Sequence, residues 1–164
     1  MHQQEASPEQ MLHAHWPLLA RVAASYVREP ARRDDLLQDI GIAVWQALPQ
    51  WRGEGSLRAY IARVAHNRAV DALMHDKRQP SGALDEDLAD PQADPVRHAQ
   101  TGQRRDDLLQ AVRRLPLGYR QVVSLSLEGF SNREVGQALG LEENTVAQRL
   151  SRARKQLRVW MEEK

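Results

Sequence analysis

The sequence predicts an all-α protein, and three observations carry that prediction. The chain is rich in Ala, Leu, Arg and Gln, which are good helix formers. Aromatic residues make up only 5% of it, and no window shows the β-branched alternation of a half-buried strand. Apolar residues recur instead at spacings of three and four, the mark of a helix with one buried stripe. At 164 residues there is length for one ordinary domain or two small ones.

A first helix starts at SPEQ, residues 7–10: Ser7 is a cap, Pro8 suits the first turn and Gln10 can reach back to complete a capping box. Trp16-Pro17 is expected to kink or restart this helix, which then runs to about Val27. REP at 28–30 turns the chain. A second helix, about 31–48, lines up Leu36, Leu37, Ile40, Val44 and Leu48. PQWRGEGS, residues 49–56, breaks it with one Pro and two Gly. Ser56 then caps a third helix, about 57–78, with Leu57, Ile61, Val64, Ala65 and Leu73 on its apolar face.

The segment QPSGALDEDLADPQADP, residues 79–95, holds Pro80, Gly82, Pro91 and Pro95 among small and acidic residues. It has little to bury and reads as a flexible acidic linker. The expected division is therefore a helical domain over 1–78, a linker over 79–100 and a second helical domain over 101–164. That second domain opens with a helix carrying Leu108, Leu109, Val112 and Leu115. Pro116 starts the next, with Val122, Val123, Leu125 and Leu127, and Gly129 ends it.

Composition excludes several kinds of chemistry. Without Cys there is no disulfide framework, thiolate zinc site or Cys nucleophile. The six His are scattered, and His13 and His15, two apart, do not share a helix face for a metal. His66 lies near Asp71 in sequence, with no nucleophile–base–orienter pattern around them. The expectation is a non-enzyme with no catalytic residues, metal or cofactor. MHQQEASPEQMLHAHW lacks a signal pattern and no apolar run is long enough for a membrane span, so a cytoplasmic location is expected.

The net charge of +1 conceals an asymmetry. Asp85, Glu86, Asp87, Asp90 and Asp94 make the middle acidic, while Arg149, Arg152, Arg154, Lys155 and Arg158 make the end basic. Those cations close the stretch SNREVGQALGLEENTVAQRLSRARKQLR, residues 131–158. Ser131 and Glu134 form a second capping box for a short helix, Gly140 permits a tight turn, and Leu141 plugs the angle. A longer helix follows with Val146, Leu150, Ala153 and Leu157 inward, then Trp160 or Met161. This is a helix-turn-helix pattern. With its apolar stripe on the core, Asn144, Gln148, Ser151, Arg152 and Lys155 point outward, and Thr145, Arg149 and Arg154 lie on the flanks. Amide, hydroxyl and guanidinium groups are those that read base edges, and flanking cations suit phosphates. A solvated Arg-rich face is the bland alternative; the ordered cap, short helix, Gly turn and long helix favour DNA binding.

With both domains in view, the chain resembles the extracytoplasmic-function sigma factors, small two-domain members of the bacterial sigma superfamily. RDDLLQDIGIAVWQAL looks like that family's polymerase-binding helix, and GSLRAYIARVAHNRAVD like its promoter-melting helix. LPLGYRQVVSLSLEGFSNREVGQALGLEENTVAQRLSRARKQL looks like its minus-35-binding domain. The resemblance implies that Asp35, Gln38, Asp39, Ile42 and Trp45 dock on the coiled coil of the largest subunit of core RNA polymerase. The polymerase flap region and promoter DNA are further implied partners, and an anti-sigma factor is the usual antagonist. The loop 49–56 with Trp51 and Arg52, and Asn67 with Asp71, match minus-10 elements, where one base leaves the stack and is tested in a pocket. Gln148, Ser151 and Arg152 match minus-35 base readers, and Thr145, Arg149, Arg154 and Lys155 fall to the DNA backbone.

The chain departs from the family pattern at three places. Met74-His75 stands where paired Arg are usual, Ala147 where a basic residue is usual, and Glu142 where a small cap is usual. Grip on melted DNA then falls more to Lys77 and Arg78. The rival expectation is a stand-alone helix-turn-helix repressor or activator, which would need a dimer interface or ligand pocket in residues 1–78. Neither a heptad nor a pocket signature is present there. A pure interaction module would not need the outward set from Gln148 to Arg152.

Overall fold

The computed structural model of the protein describes residues 5–78 and 100–163. Every regular element among them is helical: α1 Pro8–Tyr26, α2 Pro30–Ala47, a 3-10 turn Leu48–Gln50, α3 Leu57–Arg78, α4 Gln100–Arg114, α5 Leu117–Leu127, α6 Asn132–Leu139 and α7 Glu143–Glu162. The linker expected over 79–100 lies, up to residue 99, outside the described residues.

Local chemistry accounts for the helix starts. Ser7 Oγ accepts the Gln10 N–H at 3.2 Å, and Gln10 Oε1 accepts the Ser7 N–H at 2.9 Å, closing the expected capping box. The kink or restart expected at Trp16-Pro17 does not divide α1, which runs unbroken through Pro17. Pro17 and His13, whose carbonyl it leaves without a helical donor, are both exposed, so water can serve that carbonyl. Leu18, Leu19, Val22 and Ala23 meanwhile bind the following turns to the core. Glu29 is the true cap of α2, accepting from the Ala31 and Arg32 N–H groups at 3.0 and 2.8 Å. Ser56 caps α3 as expected, accepting the Ala59 N–H at 3.2 Å.

Helices α1, α2 and α3 pack on one another, and α4 to α7 form a second cluster. Of the expected α3 face, Ile61 and Ala65 are buried while Leu57, Val64 and Leu73 are half-buried. The buried stripe continues instead through Ala62, His66 and Ala69. Its alanines let α1 and α2 approach the α3 backbone closely. In the second cluster Val112, Leu115, Val122, Leu125, Val135 and Val146 are fully enclosed. The two clusters also touch: α3 packs on α6, and α1 on α4 and α5. Nothing local in the sequence foretold that contact.

One core position is polar. His66 is completely enclosed, with its Nδ1 at 2.7 Å from the Tyr26 hydroxyl and its Nε2 without a protein partner. A proton on both nitrogens would bury an unpaired charge, and desolvation pulls the His66 pKa down to about 4. Below the ordinary value of 6.5 the unfolded chain therefore takes up a proton that the folded one refuses. The stability due to neutral His66 is full above that value, falls as pH drops, and is lost by about 4. The loss should be on the order of 3 kcal/mol. Thermal unfolding measured from pH 7 to 4 should show a shallower decline for His66→Gln than for the native chain.

Candidate nucleic-acid interface

Helix α7 is aimed by the turn before it. Ser131 Oγ accepts the Glu134 N–H at 3.1 Å and Glu134 Oε1 accepts the Ser131 N–H at 3.0 Å, so α6 begins at a fixed point. Gly140 ends it at φ 69°, in the left-handed region that favours Gly. Leu141 N–H then donates to the Gly136 carbonyl at 2.9 Å. A Cβ on Gly136 would stand 2.6 Å from the Leu141 carbonyl oxygen, so no side chain fits there without moving backbone. Gly136 is a residue that the sequence reading passed over, since a helical Gly looks like a mere propensity cost.

Along α7, Val146, Leu150, Ala153 and Leu157 are buried and Trp160 and Met161 half-buried, as their spacing requires. Asn144, Gln148, Ser151, Arg152, Arg154 and Lys155 are exposed, and Thr145 is half-buried. Arg149 is half-buried too: its guanidinium lies 3.0 Å from where a Cβ on Gly118 would be, against the first turn of α5. Glu142 makes no side-chain cap, the weakness expected of it. At the far end of α7, the Arg114 guanidinium sits 4.2 Å above the Trp160 ring and ties the helix to α4.

The second candidate DNA surface lies on α3 and the loop before it. Asn67 and Asp71 are exposed one turn apart on the same face. Arg52 is exposed beside Gly53 and Gly55, whose φ values of 77° and 76° need Gly. Trp51 is half-buried, and its indole Nε1 is enclosed without a protein acceptor. Its ring therefore serves the core in part and is not wholly free for a nucleic acid. Lys77 and Arg78 stand on the last turn of α3, with side chains outside the described part.

The third face is on α2. Asp35, Gln38 and Asp39 are exposed, and so are the large apolar Ile42 and Trp45, at 57% and 47%. They lie opposite the buried stripe of Leu36, Ile40 and Val44, so Ile42 and Trp45 are surface residues, not core. Arg68 reaches Asp39 at 3.5 Å in an exposed and weak pair. Trp16 joins this face from α1, since its ring covers Gly41, where a Cβ would meet it at 2.8 Å. Glu9 is held below the usual carboxylate range by hydrogen bonds from its own backbone, Ser7 and Trp45. Among the described residues no group of three or more His, Asp or Glu could hold a metal. No helix among them is long and apolar enough to cross a membrane.

Comparison with known families decides what this arrangement is. Residues 11–79 match the family model described as Sigma-70 region 2, and residues 105–157 match Sigma-70, region 4. The chain belongs to the sigma-70 family. Region 2 contains the α2 face and the Asn67 surface, and region 4 contains the helix-turn-helix. Over 150 residues the chain is 29% identical to the ECF RNA polymerase sigma factor SigM of Mycobacterium tuberculosis, covering 91% of this chain and 74% of SigM. It is 29% identical over 143 residues, 84% of this chain, to RfaY of Xanthomonas campestris pv. campestris, of whose length it spans 36%. The fold is shared with the Bartonella quintana sigma factor RpoE, co-crystallised with the anti-sigma factor NepR. That likeness has a TM-score of 0.78 at 22% identity and covers 94% of this chain and 96% of that one.

Two substitutions should separate the turn from the cap. Gly136→Ala should lower the denaturant-measured stability by about 1–3 kcal/mol, because backbone must move to admit the methyl group. Glu142→Ser should raise it by roughly 1 kcal/mol by supplying the missing cap acceptor.

Proposed function

We propose that the chain is an alternative sigma factor that brings core RNA polymerase to specific promoters and starts transcription by recognising and melting them. One observation carries this reading: a single chain exposes two faces of opposite chemistry. Asp35, Gln38, Asp39, Ile42 and Trp45 on α2 offer an acidic and apolar stripe suited to a basic, apolar partner helix of the polymerase. Gln148, Ser151 and Arg152 on α7 offer base-reading groups.

In this reading α7 lies in the major groove of the minus-35 element. Thr145, Arg149, Arg154 and Lys155 hold the adjoining phosphates. Asn67 and Asp71, with Arg52 and part of Trp51, receive the minus-10 strand, and Lys77 and Arg78 hold its backbone. Unstacking one base costs a few kcal/mol, which the pocket and phosphate contacts must return. The chemistry of RNA synthesis belongs to the polymerase; the factor supplies position and needs no metal or cofactor of its own. The polymerase flap region is a second contact for region 4, an anti-sigma factor is the fitting antagonist, and the cytoplasm is the place of action.

In vitro transcription with core polymerase and a random promoter library tests the reading. Promoter-specific RNA should require the protein, and Trp45→Asp should abolish both core binding and that RNA. Tight gel-shift of duplex DNA without polymerase, from a protein that core polymerase ignores, would make it a repressor instead. Arg152→Ala should cost about 1–3 kcal/mol of discrimination at one base position. Arg154→Ala should weaken all sequences evenly and reduce the salt slope by about 1.

A further inference from the structure

Among the large apolar side chains exposed in the described residues, Trp16, Ile42 and Trp45 belong to the α2 face, and Met74 stands apart from them on α3. Its side chain is 43% exposed, whereas Met11 and Met161 are half-buried against the core. A single exposed apolar residue needs no explanation of its own. The place of this one does. At about 100° per residue, Arg63, Asn67, Asp71 and Met74 fall on one stripe of α3, and all four are exposed. Arg78 continues the same stripe one turn on. An apolar group thus interrupts the polar row that the minus-10 strand would cross.

On the sigma-factor reading, on which this inference rests, one base leaves the stack and is received by Asn67 and Asp71. Its neighbour then loses a stacking partner and turns a bare aromatic face to water. Met74 lies two turns from Asn67, about 10 Å along the helix axis at ~1.5 Å per residue. Helical side chains lean toward the N-terminus, so the reach of Met74 is back toward Asp71 and not toward Arg78. That puts it beside the nucleotide next to the flipped one. A thioether on a long, unbranched and polarizable side chain packs well against an aromatic ring. Met74-His75 also stands where the resembled family usually has paired Arg, so an apolar contact here takes the place of cations whose hold on phosphate weakens with salt.

We propose that Met74 is a further DNA-reading residue, whose thioether covers the uncovered face of the base next to the one that Asn67 and Asp71 receive. Asn67 and Asp71 test an edge, and Met74 supports the melted strand through a ring face. The contact holds the strand open without a phosphate partner, so salt leaves it largely unchanged.

The test uses the full chain assembled with core polymerase on a promoter selected from the random library, with the minus-10 element held open by mismatches. Equilibrium binding of labelled DNA is measured for the native protein, Met74→Ala, Met74→Leu and Met74→Arg. Met74→Ala should bind this open promoter about three- to tenfold more weakly, with core binding and circular dichroism unchanged. Met74→Leu should recover most of that loss. Abasic sites placed in turn through the element should reveal one position, beside the flipped base, where the native holoenzyme loses a similar factor and Met74→Ala loses nothing further. Met74→Arg should steepen the fall of log affinity with log salt by about 0.7, the mark of one added phosphate contact on a single strand, while Met74→Ala keeps the native slope. Native affinity in Met74→Ala, abasic losses that add to its own at every position, or an unchanged slope in Met74→Arg would each overturn the role of Met74 and leave the sigma-factor reading standing. A chain that core polymerase ignores would overturn that reading, and the role of Met74 with it.

Discussion

A small helical core can bury only one stripe of each helix, and the candidate functional faces of this protein are what that constraint leaves over. On α2, Leu36, Ile40 and Val44 occupy the core, which obliges Asp35, Gln38, Asp39, Ile42 and Trp45 to face out. On α7, Val146, Leu150, Ala153 and Leu157 do the same for Gln148, Ser151 and Arg152. Neither face is built by a loop or a cavity. Each is the reverse side of a packing stripe, so its geometry is as rigid as the core behind it.

The backbone beneath these faces is brought close by small residues. Trp16 lies over Gly41, Arg149 over Gly118, and the Leu141 carbonyl over Gly136. At Gly41 and Gly136 the neighbour comes nearer than a Cβ allows, and at Gly118 the Arg149 tip would have to shift slightly to admit one. Two of the three contacts set large groups beside a functional face, Trp16 next to the α2 stripe and Arg149 on the flank of α7. The alanines of α3 serve the same end inside region 2, where they leave room for α1 and α2.

Polar groups in the interior fall into two kinds. His66 and Tyr26 share one hydrogen bond within region 2, where burial keeps the imidazole neutral and pushes the phenol pKa well up. The arginines between the regions work differently, since they find their partners across 107 residues of sequence in one case and 89 in another. The first kind stiffens a single domain. The second adds long-range charged bonds, Arg21 of α1 to Glu128 and Arg113 of α4 to the Ala24 carbonyl, to an apolar core that runs through both regions.

Much of this was legible in the chain before any coordinates. The helices, the capping boxes at Ser7 and Ser131, the left-handed Gly140 and the outward set of α7 all follow from local chemistry and a 3.6-residue period, both of which act within one turn. The same period left Ile42 and Trp45 ambiguous, because an apolar residue beside a buried stripe is core or surface according to what neighbour arrives. Trp51 came out half-buried for that reason, and the continuity of α1 through Pro17 needed the packing of the residues after it. Glu29 as a cap, Gly136 as a close approach and the Arg21–Glu128 pair carried no local mark. A charged residue reads as solvent-facing until a partner far along the chain folds against it, and only the tertiary structure supplies that partner.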